Sequence, residues 1–196
     1  MHCESIYPVI LQVPEDLRRG LVGKEKVAFL RGHARQAVRQ SADFSGCPVA
    51  DLPMDQKRVP LPADGIYWSL SHKSGYVAGV VAPHPIGIDV ESIRPVDERL
   101  IDRVLDASER QLAGAGADPA FMFFRFWTAK ETILKLLGIG LAGLSNCRIQ
   151  AVVDERHLIV DYQENRYMVA QTFFNHHVAA VLKTGGQMVR WRMAVS

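Results

Sequence analysis

Apolar and polar positions alternate over several short runs of this chain, and between two of the groups the spacing switches to that of a helix. "SIYPVILQVP" (5–14) reads as a first strand broken by prolines, and over residues 24–39 Val27, Leu30, Ala34 and Val38 recur at helical spacing. Residues 44–65 are rich in Gly, Pro and Asp and read as loop, leading into a strand "GIYWSL", a turn "SHKSG" and a strand "YVAGVVA". After the punctuation "PHP" (83–85) the order repeats. A strand "IGIDVE" (86–91) precedes helical segments "DERLIDRVLDASERQL" and "FFRFWTAKETILKLL", and strands follow at "CRIQAVV", "RHLIVDYQ", "RYMVAQTFF" and "HVAAVLK". "YVAGVV" and "HVAAVL" share a pattern, each closing its group, so a weak internal repeat joined near Pro83 is expected. The fold class is α+β.

Within "PIGIDVES" the alternation carries chemistry. Side chains two apart leave a strand on one face, so Asp89 and Glu91 share a face and Ile88 and Val90 share the other. Two acids side by side in a half-buried setting repel each other and lose hydration unless something compensates. A solvated strand face is one reading and a cation site the other; two carboxylates suit Mg²⁺, which completes its octahedron with water and phosphate oxygens. On the later helix, Trp127, Glu131 and Lys135 stack at i, i+4 and i+8 with Lys130 beside them. That face is either an exposed Glu131–Lys135 pair over a core Trp, or a carboxylate with lysines that partner anionic oxygens. Ser71, His72 and Lys73 fall in a turn after a strand, where they are ordinary surface residues or, with Lys57 and Arg58, a phosphate cradle.

Composition narrows the classes. The 196 residues are 48% hydrophobic and 22% charged with a net charge of +2, an ordinary soluble balance that argues against a dedicated nucleic-acid binder. Arg18, Arg19, Lys24, Lys26, Arg31, Arg35 and Arg39 nevertheless crowd one region that holds a single acid, Glu25, as a solvated helix face or an anion site. Cys3, Cys47 and Cys147 have neither disulfide-framework nor zinc spacing and read as reduced thiols. No basic segment followed by a long apolar run opens the chain, and "FMFFRFW" is too interrupted to cross a bilayer, so neither a signal peptide nor a membrane partner is expected and the localisation is cytoplasmic. The loop fingerprints of nucleotide binders, HExxH and the nucleophile elbow are absent from the sequence.

Taken in order, "IGIDVE", then Glu109, then "FWTAKETILK" resembles the signature of the 4′-phosphopantetheinyl transferases, and "SLSHKSGYVAGVVA" resembles the Ser–His strand-turn-strand of the surfactin-synthetase-activating type. The likeness runs from about residue 57 to about residue 141. It implies two pseudo-twofold halves, 1–83 on the coenzyme A phosphate side and 84–196 carrying the metal and catalytic residues, each a small antiparallel sheet with a long helix, in a monomer. It implies transfer of phosphopantetheine from coenzyme A to a serine of an acyl or peptidyl carrier protein, releasing 3′,5′-ADP. By position, Asp89, Glu91, Glu131 and Glu109 would bind Mg²⁺, and Glu131 would also accept the serine proton. Lys130 would stabilise charge on the pyrophosphate, and Lys135 and Trp127 would position helix and cofactor. Ser71, His72 and Lys57, with Arg31 or Arg35, would hold coenzyme A phosphates. A non-catalytic coenzyme A or carrier-binding module on the same fold is the alternative, and a metal-dependent phosphohydrolase a third reading.

Overall fold

The computed structural model describes residues 4–73, 75–114 and 116–195; Cys3 lies outside them. In chain order the elements are β1 (Ser5–Ile6), β2 (Val9–Gln12), α1 (Glu15–Arg18), α2 (Gly23–Ser45), β3 (Tyr67–Lys73), β4 (Tyr76–Ala82) and β5 (Ile88–Ser92). Then come α3 (Glu98–Val104), α4 (Ala107–Leu112), α5 (Pro119–Leu137) and a 3₁₀ segment (Gly140–Asn146). The chain ends with β6 (Cys147–Val152), β7 (His157–Tyr162), β8 (Asn165–Phe174), β9 (His177–Lys183), β10 (Met188–Val189) and β11 (Arg192–Val195).

The repeat in the sequence is a repeat in space. One sheet runs β11-β2-β4-β3 and the other β5-β9-β8-β7-β6, so strand–helix–strand–strand with the order β2-β4-β3 recurs as β5-β9-β8. Helix α2 packs on β4 and β3, and α5 on β5 and β9. The apolar stripe of α2 buries Leu30, Ala34 and Val38, and the helix runs on to Ser45, where Gly46 at φ 61° turns its N–H back onto the carbonyls of Ala42 and Asp43. Val27, on the same periodic stripe, stays 40% exposed. Ile10, Ala78 and Val80 of one sheet and Ile88, Val90, Ala179 and Val181 of the other belong to one buried cluster, so the halves share a core.

Three local expectations change. Ser71, His72 and Lys73 are the last residues of β3, paired with Ala78, Val77 and Tyr76, and not loop residues. The segment 97–112 divides at Leu105 and Asp106 into α3 and α4, because the Asp106 side chain caps α4 in a reciprocal box with Glu109. The last strands leave the second half: β10 pairs in parallel with β1 and β11 with β2, so a cut at residue 83 does not place all of 84–196 in one sheet. Parallel pairing between distant segments leaves no local turn signal to read. Among the described residues, no helix is long and apolar enough to cross a membrane.

Candidate active site

Strand β3 and strand β5 belong to different sheets, and two serines clip them together. Ile88 N donates to Ser69 Oγ at 3.2 Å, and Ser71 Oγ donates to Asp89 Oδ1 at 2.7 Å. Where the sheets part beyond this junction a cleft of about 580 Å³ opens between β3, β5, the cleft edge of α5 and the loop at residues 54–60. Asp89 is 4% exposed and the Glu91 side chain 12%, which rules out a solvated strand face.

The edge of α5 that faces the cleft carries Trp127, Glu131 and Lys135, one turn apart, as the spacing predicts. Trp127 Nε1 donates to Glu91 Oε1 at 3.3 Å, and Lys135 Nζ donates to Asp89 Oδ1 at 2.6 Å and to the Leu70 carbonyl at 3.4 Å. Lys135 thus pairs across to the strand and not along its helix to Glu131. Lys73 Nζ donates to Glu91 Oε1 at 3.2 Å and approaches Oε2 at 3.0 Å, and Arg94 approaches Oε2 at 3.7 Å, without a hydrogen bond's direction at Oε2. Asp89 Oδ2 and Glu91 Oε2 are both buried with no hydrogen-bond partner.

Two buried carboxylates lining one cleft, each with an oxygen that accepts no hydrogen bond, fit a divalent cation, since hard oxygen donors are what Mg²⁺ takes, with phosphate and water completing the shell. Among the described residues no three His, Cys, Asp or Glu side chains converge as a preformed cluster, so Glu131 is not gathered with Asp89 and Glu91 as a third ligand. Burial, and then the charge of Asp89, raise the Glu131 carboxyl to about 7, with Glu91 adding and Lys135 and Lys73 opposing. A carboxyl balanced near neutrality is suited to taking up a proton.

The cleft also carries cations. Arg31, Lys57, Arg58 and His72 line it, as the sequence suggests. Burial, then the neighbouring Lys135 and Arg31 cations, hold the His72 imidazolium below its ordinary range, so the ring is neutral at pH 7. Arg58 sits at φ 65° at the tip of a loop in which Val59 N donates to Asp55 Oδ1 at 2.8 Å and Asp55 N to the Val59 carbonyl at 3.0 Å. Such a backbone is costly for a side chain with Cβ and is held only by its surroundings. Arg35 is not among the cleft's cations: it donates to the Leu52 carbonyl at 3.0 Å and lies over the Trp68 ring at 5.6 Å, pinning α2 to the loop.

Glu109 and Lys130 also lie elsewhere. They form an ion pair at 2.7 Å, with side chains 1% and 2% exposed, on the side of α5 turned away from the cleft. The pattern held a clue, since Lys130 stands four residues after Phe126 and three before Ile133, both fully buried. Arg94, three residues past Glu91 and 4.8 Å over the Phe124 ring, is a member of the site the sequence reading missed; an i,i+3 cation was its only signal.

Comparison with known proteins bears on the family. The model of the 4′-phosphopantetheinyl transferase superfamily matches residues 85–185, just over half the chain. The 4′-phosphopantetheinyl transferase psf-1 of Bacillus pumilus is 35% identical over 107 residues, 48% of this chain and 46% of that protein. The 4′-phosphopantetheinyl transferase Sfp of Bacillus subtilis is 27% identical over 135 residues, 65% of this chain and 55% of that one. Enterobactin synthase component D of Salmonella typhimurium is 29% identical over 104 residues, covering 50% and 44%. The chain spans about half the length of the relatives it matches. With its paired acids on β5 and its Trp–Glu–Lys edge on α5 both inside the matched segment, this chain belongs to the 4′-phosphopantetheinyl transferase superfamily.

Proposed function

We propose that the protein transfers the 4′-phosphopantetheine group of coenzyme A to a serine hydroxyl of an apo acyl or peptidyl carrier protein, releasing 3′,5′-ADP, with Mg²⁺ held by Asp89 and Glu91. The observation that carries this reading is the pair of buried acids, Asp89 and Glu91, in one cleft that Arg31, Lys57 and Arg58 also line, with Asp89 Oδ2 left without a hydrogen-bond partner.

The bound cation supplies charge neutralisation at the pyrophosphate. Arg31, Lys57 and Arg58 bind the phosphate-rich end of coenzyme A as cations, and His72, neutral, offers one ring N–H. Lys135 and Ser71 fix Asp89 through Oδ1 and leave Oδ2 open; Trp127 and Lys73 hold Glu91 through Oε1, with the Lys73 and Arg94 cations close to Oε2. Glu131 accepts the proton of the carrier serine as its oxygen bonds to the pantetheine-bearing phosphorus and the bond to the bridging oxygen breaks. Phosphoryl transfer of this kind asks for positioning and charge stabilisation more than covalent help.

The test is intact-mass measurement of an apo acyl carrier protein incubated with the protein, coenzyme A and Mg²⁺. A gain of one phosphopantetheine group is expected, and Glu131→Gln should abolish it while coenzyme A still binds. No gain on several unrelated carriers overturns transfer; coenzyme A binding without transfer would leave the non-catalytic module in its place.

A further inference from the structure

Glu109 and Lys130 are paired charges buried in the protein, and their partners define what they can do. Glu109 Oε1 accepts from Ile149 N at 2.7 Å and pairs with Lys130 Nζ at 2.7 Å; Oε2 accepts from Asp106 N at 2.9 Å and from Lys130 Nζ at 2.9 Å. With three hydrogen bonds and a second ammonium contact on its two oxygens, and its side chain 1% exposed, Glu109 is committed to the protein on the side of α5 away from the cleft. Lys130 spends its donors on the two Glu109 oxygens and on the Val104 carbonyl at 2.8 Å, so none remains for a phosphate.

The partners come from five places: the end of α3 (Val104), the N-cap of α4 (Asp106), α4 itself, α5, and the edge strand β6. Ile149 lies at the register shift of β6. Its N–H is one that an edge strand leaves without a ladder partner, and Glu109 takes it. Lys130 immediately precedes Glu131 on α5, so whatever fixes the rotation of the helix at Lys130 fixes the direction of the neighbouring side chain into the cleft. An ion pair this deep contributes little net stability against an apolar isostere, yet breaking it from one side leaves a buried charge alone.

We propose that Glu109 and Lys130 are positioning residues, a clasp that sets the roll of α5 and thereby aims Glu131, and that neither touches metal or coenzyme A. The proposal rests on the transfer reading above, which the wild-type carrier assay tests separately. Four proteins decide it: wild type, Glu109→Gln, Lys130→Met and the double variant Glu109→Gln/Lys130→Met. Each is assayed well below its own Tm, with rates scaled to folded fraction, for kcat, KM for coenzyme A and the Mg²⁺ concentration giving half-maximal rate.

Each single variant is expected to lower kcat ten- to a hundredfold, as misplacement of a reacting group by about 1 Å does, with KM and the Mg²⁺ requirement within about twofold of wild type. The double variant buries no lone charge and keeps an amide oxygen for one of the two N–H groups, Ile149 or Asp106, with its NH₂ set against the other, so both Tm and kcat should return part of the way above the single variants. A raised Mg²⁺ requirement in Glu109→Gln alone makes Glu109 a ligand and overturns the proposal. A raised KM in Lys130→Met with no recovery in the double variant makes Lys130 a phosphate contact and does the same. Lowered Tm with wild-type kcat in both single variants reduces the clasp to a purely structural one. Should Glu109→Gln fail to fold, Lys130→Met and the double variant still separate these outcomes.

Discussion

Glu131 gives the sharpest test of the cleft's electrostatics. Its carboxyl stands at about 7 against an ordinary 4.5, because burial and the Asp89 charge penalise the anion. The folded chain therefore keeps a proton that the unfolded chain releases, and stability falls as pH rises from about 4.5 to about 7, then levels. A shift of that size corresponds to about 3 kcal/mol, nearer 2 once water at the exposed edge of the carboxyl is counted. Denaturant unfolding of metal-free wild type and Glu131→Gln at pH 5 and pH 8 measures it: the wild type should lose roughly 2 to 3 kcal/mol more than the variant over that interval. Adding Mg²⁺ reverses the sign, since a dication beside Asp89 and Glu91 favours the Glu131 anion. Binding should then release about nine-tenths of a proton at pH 6 and about a tenth at pH 8, read by calorimetry in buffers of different ionisation enthalpy. Matching pH profiles for the two proteins, or equal proton release from both, would refute the reasoning.

Other outcomes follow from single contacts. A Cβ on Gly87 would lie 2.1 Å from the Thr132 carbonyl oxygen, backbone that has nowhere to go, so Gly87→Ala should cost at least about 3 kcal/mol and lower Tm by roughly 6 to 12 °C; an unchanged Tm would show that α5 can move off β5. Arg31→Ala should raise KM for coenzyme A roughly ten- to a hundredfold with little change in Tm, whereas Arg35→Ala should lower stability by about 1 to 2 kcal/mol and leave KM alone; the reverse pattern would exchange their roles. The Cys147 thiol, buried and pushed up to about 12, should resist iodoacetamide at pH 8 in the native protein and react on unfolding; labelling of the native protein would mean that β6 opens.

The parts of the fold that the sequence makes legible are apolar runs bounded by turn residues and helices set by their own spacing. Strands β4 and β5 and helix α5 fall where the apolar runs and the helical spacing put them, although every residue of β4 is buried, and the paired acids of β5 fall on one face because a period of two leaves no other choice. Residues one position apart on a helix are harder. Lys130 and Glu131 differ by about 100° around α5, enough to put one in the cleft and the other in the core, and a family signature that lists both says nothing of direction. Arg31 and Arg35 share a helix face by spacing, yet Trp68 and the Leu52 carbonyl draw only the second away, and those partners come from segments that no local pattern connects. The last strands were invisible for the same reason, since their partners stand at the far end of the chain.

That closing contact has a consequence for the order in which the molecule is made. Strand β2 pairs on one side with β4 and on the other with Arg192 to Val195, so during synthesis its outer row of N–H and C=O groups stays bare until nearly every other strand has left the ribosome. The second half, whose five strands lie within residues 88–183, holds all its own pairing partners and can assemble first. The N-terminal sheet, the first to emerge, is therefore the last to be finished, and in the interval it presents an open β edge to any neighbouring nascent chain.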